Sequence, residues 1–147
     1  MRFIHRFIPV LALLFTLAAT SNAQSARRTV ILIPFDFVAG GEALPAGTYS
    51  VEPVKRDSYT AWEIRSTTGR AGSVVMTSAL GGRAAAGADA RLVFRKYAQA
   101  YVLAQVWPSG EGAGREVVQS RRGRAAAEAA GGKHVKPEAV TVAALAR

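Results

Sequence analysis

The chain has 147 residues, no cysteine, two histidines and a formal net charge of +9. The lack of cysteine excludes disulfide scaffolds, thiol nucleophiles and zinc or iron–sulfur sites with cysteine ligands. Half of the residues are hydrophobic, which is enough for one domain with a packed core. The positive charge taken alone favours an anionic partner such as nucleic acid or a membrane surface.

The N-terminal segment, residues 1–23, has the layout of a secretory signal peptide. Two arginines precede an apolar run over residues 7–19, and small residues then lead to Ala23. The apolar run is shorter than the ~20 residues that cross a bilayer. We therefore expect cleavage after Ala23, or alternatively after Ser25, and an exported, periplasmic or extracellular protein without a transmembrane span. An uncleaved N-terminal anchor is the other alternative.

The positive charge lies mostly at the two ends of the chain. Cleavage removes two arginines and lowers the formal net charge from +9 to +7. Residues 24–28 form a short basic segment with Arg27 and Arg28, and six basic residues fall in the last 28 positions. Between Thr29 and Gln119, nine basic residues nearly balance eight acidic ones. The charge of the body therefore does not indicate a nucleic-acid function.

Residues 29–114 are predicted to form a β body. Six segments alternate between apolar and polar residues or are rich in β-branched and aromatic residues, as strands are. They are Thr29–Val38, Thr48–Val54, Thr60–Ser66, Ala71–Ser78, Ala90–Tyr97 and Ala100–Trp107. The last two are predicted to form a hairpin. Residues 79–88 are rich in glycine and alanine, and we interpret them as a mobile loop.

Residues 115–147 are expected to contain a helix, a linker and a final strand. Arg115–Ala130 is rich in alanine and arginine, which favour helix, and two glycines follow it. Glu138–Leu145 has the pattern of a strand. The whole pattern predicts an all-β fold. We expect an antiparallel sandwich or partly closed barrel of about seven strands, with one peripheral C-terminal helix.

Residues that could carry chemistry are few. The sequence has neither a G-x-S-x-G nor an H-E-x-x-H motif, and Gly110–Gly114 lacks the lysine of a phosphate loop. His134 lies in the predicted linker, and we interpret it as a solvated residue. Asp36 is interpreted as an outward residue between two phenylalanines, or alternatively as a carboxylate that binds the turn at Gly40–Gly41. We expect no catalytic, metal or cofactor site.

Arg121, Arg122 and Arg124 are clustered on the predicted helix and are the candidate contacts for an anion. An anionic polymer or lipid of the cell envelope is the candidate partner. Binding of single-stranded nucleic acid combines basic groups with stacking aromatic rings, and no aromatic residue accompanies these arginines. We therefore expect no specific nucleic-acid binding.

Two motifs carry a resemblance to known proteins. Ile33–Gly40 (IPFDFVAG) and Leu44–Val51 (LPAGTYSV), together with Leu92–Phe94 and Tyr101–Trp107, resemble small exported proteins that recur in acidobacterial genomes. The resemblance implies export and an all-β body, and it brings no catalytic residues. Leu44–Tyr49 is also similar to the turn-into-strand motif of transthyretin-like or Cna-B-like sandwich domains. That resemblance implies a turn that feeds a strand whose tyrosine packs inward.

These observations favour a non-enzymatic structural or binding module of the cell envelope or periplasm. Two alternatives stay open. The first is a carboxylate-dependent hydrolase that acts on envelope glycans, which requires two Asp or Glu side chains to converge in a cleft. The second is an anion-binding module that uses the basic C-terminal segment.

Overall fold

The structure is a computed structural model and describes residues 28–55, 58–83, 88–98, 100–110, 112–129 and 136–145. The predicted signal peptide and His134 lie outside these residues. The described residues form ten strands and one short helix, α1 (Arg121–Ala127). The strands are β1 (Thr29–Ile33), β2 (Phe37–Ala39), β3 (Glu42–Leu44), β4 (Gly47–Lys55), β5 (Ser58–Ser66), β6 (Gly72–Arg83), β7 (Arg91–Tyr97), β8 (Ala100–Trp107), β9 (Ala113–Val117) and β10 (Glu138–Ala143).

The strands form one mixed sheet that is not closed into a barrel. The order along the sheet is β1-β4-β5-β6-β9-β8-β2-β3, and β7 pairs with both β8 and β10. The strand pairs are antiparallel except for β2 and β8, which run parallel. The expected all-β fold with one short C-terminal helix is confirmed. The sheet has ten strands in the described residues, where about seven were expected.

The sheet curves so that its two halves share one core. Phe37 on β2 and Tyr49 on β4 are separated by several strands in the sheet, yet their ring centroids lie 5.2 Å apart. The predicted alternation holds on β1 and β5, whereas on β4 Ser50, an outward position in that alternation, is buried between Tyr49 and Val51. The buried side chains of these strands include Ile31, Ile33, Tyr49, Val51, Trp62 and Ile64. Burial of such a set from every part of the sheet is the main force that stabilises the fold.

The first predicted strand, Thr29–Val38, is divided into two. β1 ends at Ile33 and β2 begins at Phe37, with Pro34 between them. Proline has no backbone N–H to donate to a neighbouring strand, so the interruption at this position follows from its chemistry. After the break the chain pairs with β3 and β8 instead of β4.

Two other predicted elements differ from the structure. The segment interpreted as a mobile loop, residues 79–88, begins as strand, because β6 continues to Arg83 and pairs with β9. The predicted helix Arg115–Ala130 begins as strand β9, and α1 covers only seven residues. β9 also crosses the predicted boundary between residues 114 and 115. Its strand conformation depends on pairing with β8 and, over a long sequence separation, with β6, which helix propensity does not record.

The first and last strands meet along a seam. The N–H of Leu145, just after β10, donates to the carbonyl oxygen of Val30 on β1 at 3.2 Å. The N–H of Ala144 donates to the carbonyl oxygen of Ala90 at 2.7 Å. Val140 and Val142 on β10 pack against the core. The predicted final strand is thus an integral part of the body.

Candidate functional site

The turn at residues 44–47 is held by two side chains, one from the residue just before β2 and one from β4. The Oδ1 atom of Asp36 accepts a hydrogen bond from the N–H of Ala46 at 2.8 Å. The phenol of Tyr49 donates to the carbonyl oxygen of Pro45 at 2.7 Å. Asp36 is exposed, as the first interpretation expected, and its carboxylate binds the turn at Ala46 instead of the Gly40–Gly41 turn of the alternative.

Tyr49 anchors this turn to the core. Its ring is buried and packs edge-on against Phe37. Burial raises the pKa of the Tyr49 phenol, and the negative charge of Asp36 raises it further. The phenol is therefore held in its neutral form, which can donate the hydrogen bond to Pro45.

A cleft of about 310 Å³ opens beside the same turn. Its volume falls at the lower end of the range of small-molecule sites, which are mostly apolar with a few polar groups. The cleft follows this pattern, since Asp36 is its acidic residue and most of the others are apolar. The lining residues are Asp36, Phe37, Val38, Ala43, Leu44, Pro45, Ala100 and Tyr101.

The ring of Tyr101 lines one side of this cleft and is held by neighbouring aromatic and basic side chains. The Tyr101 ring stacks on Phe35, with a centroid distance of 3.8 Å and an interplanar angle of 16°. Phe35 in turn meets the buried Phe94 edge-on at 5.2 Å. The Lys96 ammonium lies 5.8 Å from the Tyr101 ring centroid. Tyr101 is thus fixed by its contacts before any ligand binds.

A second cleft of about 500 Å³ lies on the open face of β5 and β6. Glu63 and Arg65 form an ion pair there, and Arg65 Nε also donates to Glu63 Oε1 at 3.1 Å. The hydrogen bond to Glu63 raises the pKa of the Arg65 guanidinium, and the charge of Glu63 adds to this. Glu63 stands directly opposite Glu52 on β4. Its carboxylate is engaged by Arg65, so the Glu52–Glu63 pair is not a free pair of acids.

Other carboxylates of the body also take part in ion pairs. Glu116 on β9 binds Arg95 on β7 at 3.3 Å across the intervening strand β8. Glu42 binds Arg122 at 3.5 Å. Within the described ranges, no group of three or more His, Cys, Asp or Glu could hold a metal ion.

The three arginines predicted to contact an anion have different surroundings. Arg122 forms the exposed ion pair with Glu42, and Arg124 donates from its side chain to the carbonyl oxygen of Gln119 at 2.8 Å. Arg121 is exposed at the first position of α1. The helix lies close to Gly41, where φ is +100° and an added Cβ would lie 2.8 Å from Cβ of Arg122. α1 therefore places Arg122 beside the β2–β3 turn, while Arg121 and Arg124 have separate surroundings.

Two pairs of basic and aromatic side chains lie elsewhere on the body, and the sequence pattern did not predict them. The Arg91 guanidinium lies 4.4 Å from the Trp107 ring centroid, and Arg115 lies 4.7 Å from that of Tyr59. Arg91 and Trp107 are cross-strand partners on β7 and β8. The sequence predicts the β7–β8 hairpin but not which residues pair across it. Without that register, neither strand indicates that Arg91 and Trp107 are neighbours.

No protein-family model, curated protein or solved structure matches this chain. None of the helices in the described ranges is long and apolar enough to span a membrane.

Proposed function

We propose that the protein is an exported, non-enzymatic binding module whose ligand occupies the cleft beside the 44–47 turn. One observation carries this proposal: the cleft combines an apolar lining, a fixed aromatic wall and a single carboxylate. This combination is typical of small-molecule sites. The sequence pattern of residues 1–23 and the resemblance to exported proteins support the compartment, which is the cell envelope or periplasm.

The engagement of the carboxylates supports a role without catalysis. Asp36 is bound to Ala46, and Glu63 is bound to Arg65. Hydrolysis by the two-carboxylate mechanism needs an acid and a base or nucleophile on either side of one bond. Each of the two clefts described above contains one carboxylate, which does not satisfy that requirement.

Export is tested by the mass of the protein recovered from the envelope fractions of its native host. We expect a chain that begins at Gln24, the residue after the predicted cleavage site. Recovery of the full-length chain from the cytosol would contradict the compartment.

Binding is tested on the same mature protein with 2-phenylethanol, a neutral aromatic probe. We expect it to shift the backbone NMR signals of Val38, Ala43 and Tyr101, which line the cleft. The variant Ala43→Phe fills the cleft and should abolish the shifts, whereas Ala139→Phe changes an equally exposed alanine on β10 and should retain them. Shifts spread over the whole surface, or unaffected by Ala43→Phe, would contradict the site.

A further inference from the structure

The cleft beside the 44–47 turn has a negative charge at an otherwise apolar surface. We propose that its ligand is a small molecule with an apolar body and a protonated amine, and that the amine lies at Asp36. This inference rests on the proposed function, because it assigns a ligand class to the same cleft.

Asp36 is held in place but keeps acceptor capacity. Its Oδ1 accepts one hydrogen bond from Ala46 at 2.8 Å, which fixes the orientation of the carboxylate. An ionised carboxylate has about four lone-pair positions, so a single backbone donor leaves room for the N–H groups of an ammonium. The side chain is exposed at the rim. An incoming cation can therefore reach it without burial of an unpaired charge.

The surrounding charges leave Asp36 as the dominant charge of the cleft. Glu42, on the neighbouring strand β3, is offset by Arg122 at 3.5 Å. Lys96 contacts the ring of Tyr101 at 5.8 Å but is not among the residues that line the cleft. An anionic ligand would thus meet a like charge, and a cationic ligand would meet an opposite one.

The apolar part of the cleft sets the size of the ligand. A volume of about 310 Å³ is at the lower end of the range for small-molecule sites. Pro45, Leu44 and Tyr101 offer apolar and aromatic surface for a body of this size. A single aromatic or branched aliphatic group with a short aminoalkyl chain matches both the volume and the position of the carboxylate.

Three probes with one aromatic body and different charges test the inference: phenethylamine, 2-phenylethanol and phenylacetate. Their affinities for the mature protein are measured at neutral pH and low salt from the NMR shifts of the cleft residues. We expect phenethylamine to bind about two- to fivefold tighter than 2-phenylethanol, as expected for an exposed ion pair, and phenylacetate to bind weakest. Added salt should reduce the difference between the amine and the alcohol.

The variant Asp36→Asn isolates the charge. The asparagine carbonyl can still accept the hydrogen bond from Ala46, so the turn is retained while the charge is lost. We expect phenethylamine and 2-phenylethanol to bind this variant equally. The matched control Asp89→Asn removes an exposed carboxylate just before Arg91, at the opposite end of β7 from Lys96 and its partner Tyr101, and should keep the preference.

The outcomes separate this inference from the proposed function. If the three probes bind the wild-type cleft with equal affinity, or if Asp36→Asn keeps the preference for the amine, the assignment of an amine ligand is overturned and the cleft remains a binding site. If none of the probes shifts the cleft residues, the proposed function itself fails.

Discussion

The phenol of Tyr49 donates a hydrogen bond to the carbonyl oxygen of Pro45, four residues earlier in the chain. The same turn is held from the other side by Asp36, whose carboxylate accepts from Ala46. Immunoglobulin-like sandwiches contain a comparable arrangement, in which a tyrosine bonds back to the backbone a few residues upstream. The two motifs singled out in the sequence, IPFDFVAG and LPAGTYSV, thus meet at one turn. Their shared role is to fix the rim of the cleft.

Removal of the Tyr49 hydroxyl should weaken the fold modestly. We expect Tyr49→Phe to lower the free energy of unfolding by about 1 kcal/mol, because it deletes one partly buried hydrogen bond and keeps the ring in the core. Urea unfolding followed by tryptophan fluorescence measures this difference. The control is Tyr97→Phe, which removes a phenol for which the described part of the chain shows no hydrogen bond. Equal losses in both variants would contradict a specific role for the bond.

The raised pKa of Tyr49 makes stability depend on pH on the alkaline side. In the unfolded chain a tyrosine has a pKa of about 10, whereas in the folded protein Tyr49 keeps its proton to higher pH. Between these two values the folded state binds more protons, so the free energy of unfolding falls as pH rises. Below about pH 10 the contribution of this group is constant.

Urea unfolding at a series of pH values from about 8 to about 11 checks this expectation. The wild type should lose more stability than Tyr49→Phe over the upper part of the range. Parallel profiles for the two proteins would show that another group is responsible for any alkaline loss.

Gly114 should tolerate no larger side chain. It is buried on β9, and an added Cβ would lie 2.6 Å from the indole ring of Trp107 on β8. We expect Gly114→Ala to displace this ring and to lower the free energy of unfolding by about 1–3 kcal/mol, as overpacking does. A change in tryptophan fluorescence should accompany the loss. Gly81→Ala is the control, because an added Cβ there has no neighbour within 4 Å. A neutral Gly114→Ala would mean that the ring moves freely.

The C-terminal segment cannot be tested for anion binding by deletion. Val140 and Val142 pack against the core, so removal of residues 119–147 should unfold the body. The substitution of Arg121, Arg122 and Arg124 by glutamine leaves these contacts intact. We expect this variant to unfold within about 0.5 kcal/mol of the wild type, because the Arg122–Glu42 pair is exposed.

Retention on heparin then reports on the arginines alone. If the basic segment binds anions, the triple glutamine variant should elute at lower salt than the wild type. Unchanged elution would remove the anion-binding alternative.

The sequence predicted best the strands that have one buried, apolar face and one more exposed, polar face. On β5 Trp62 and Ile64 are buried as expected, and their neighbours are more exposed, whereas β4 buries Ser50 as well as Tyr49 and Val51. The part of β9 from Arg115 onward was predicted as helix, because the alanine- and arginine-rich segment that begins there favours helix locally. Its strand conformation comes from pairing on both sides, with the nearby strand β8 and with β6, which is distant in sequence.

The cleft could be predicted only in part. The turn at residues 44–47 was evident from its proline and glycine, and the inward direction of Tyr49 followed from the alternation on β4. The approach of Asp36 to Ala46 follows from the β2–β3 hairpin, which pairs Phe37 with Leu44. The approach of Tyr101 to the same region depends on the parallel pairing of β2 with β8. No local pattern encodes that pairing, because β2 is only three residues long.

The seam between β1 and β10 constrains the order in which the protein can fold. β1 pairs with β4, but the carbonyl oxygen of Val30 also accepts from Leu145, so this contact requires residues far along the chain. Contacts between such distant residues form late and slowly. Until β10 docks, part of the edge of β1 stays open, and exposed strand edges of this kind promote aggregation. During synthesis the N-terminus leaves the ribosome first, so the core is completed only after β10 is released. A chaperone that shields β1 in that interval should increase the yield of folded protein.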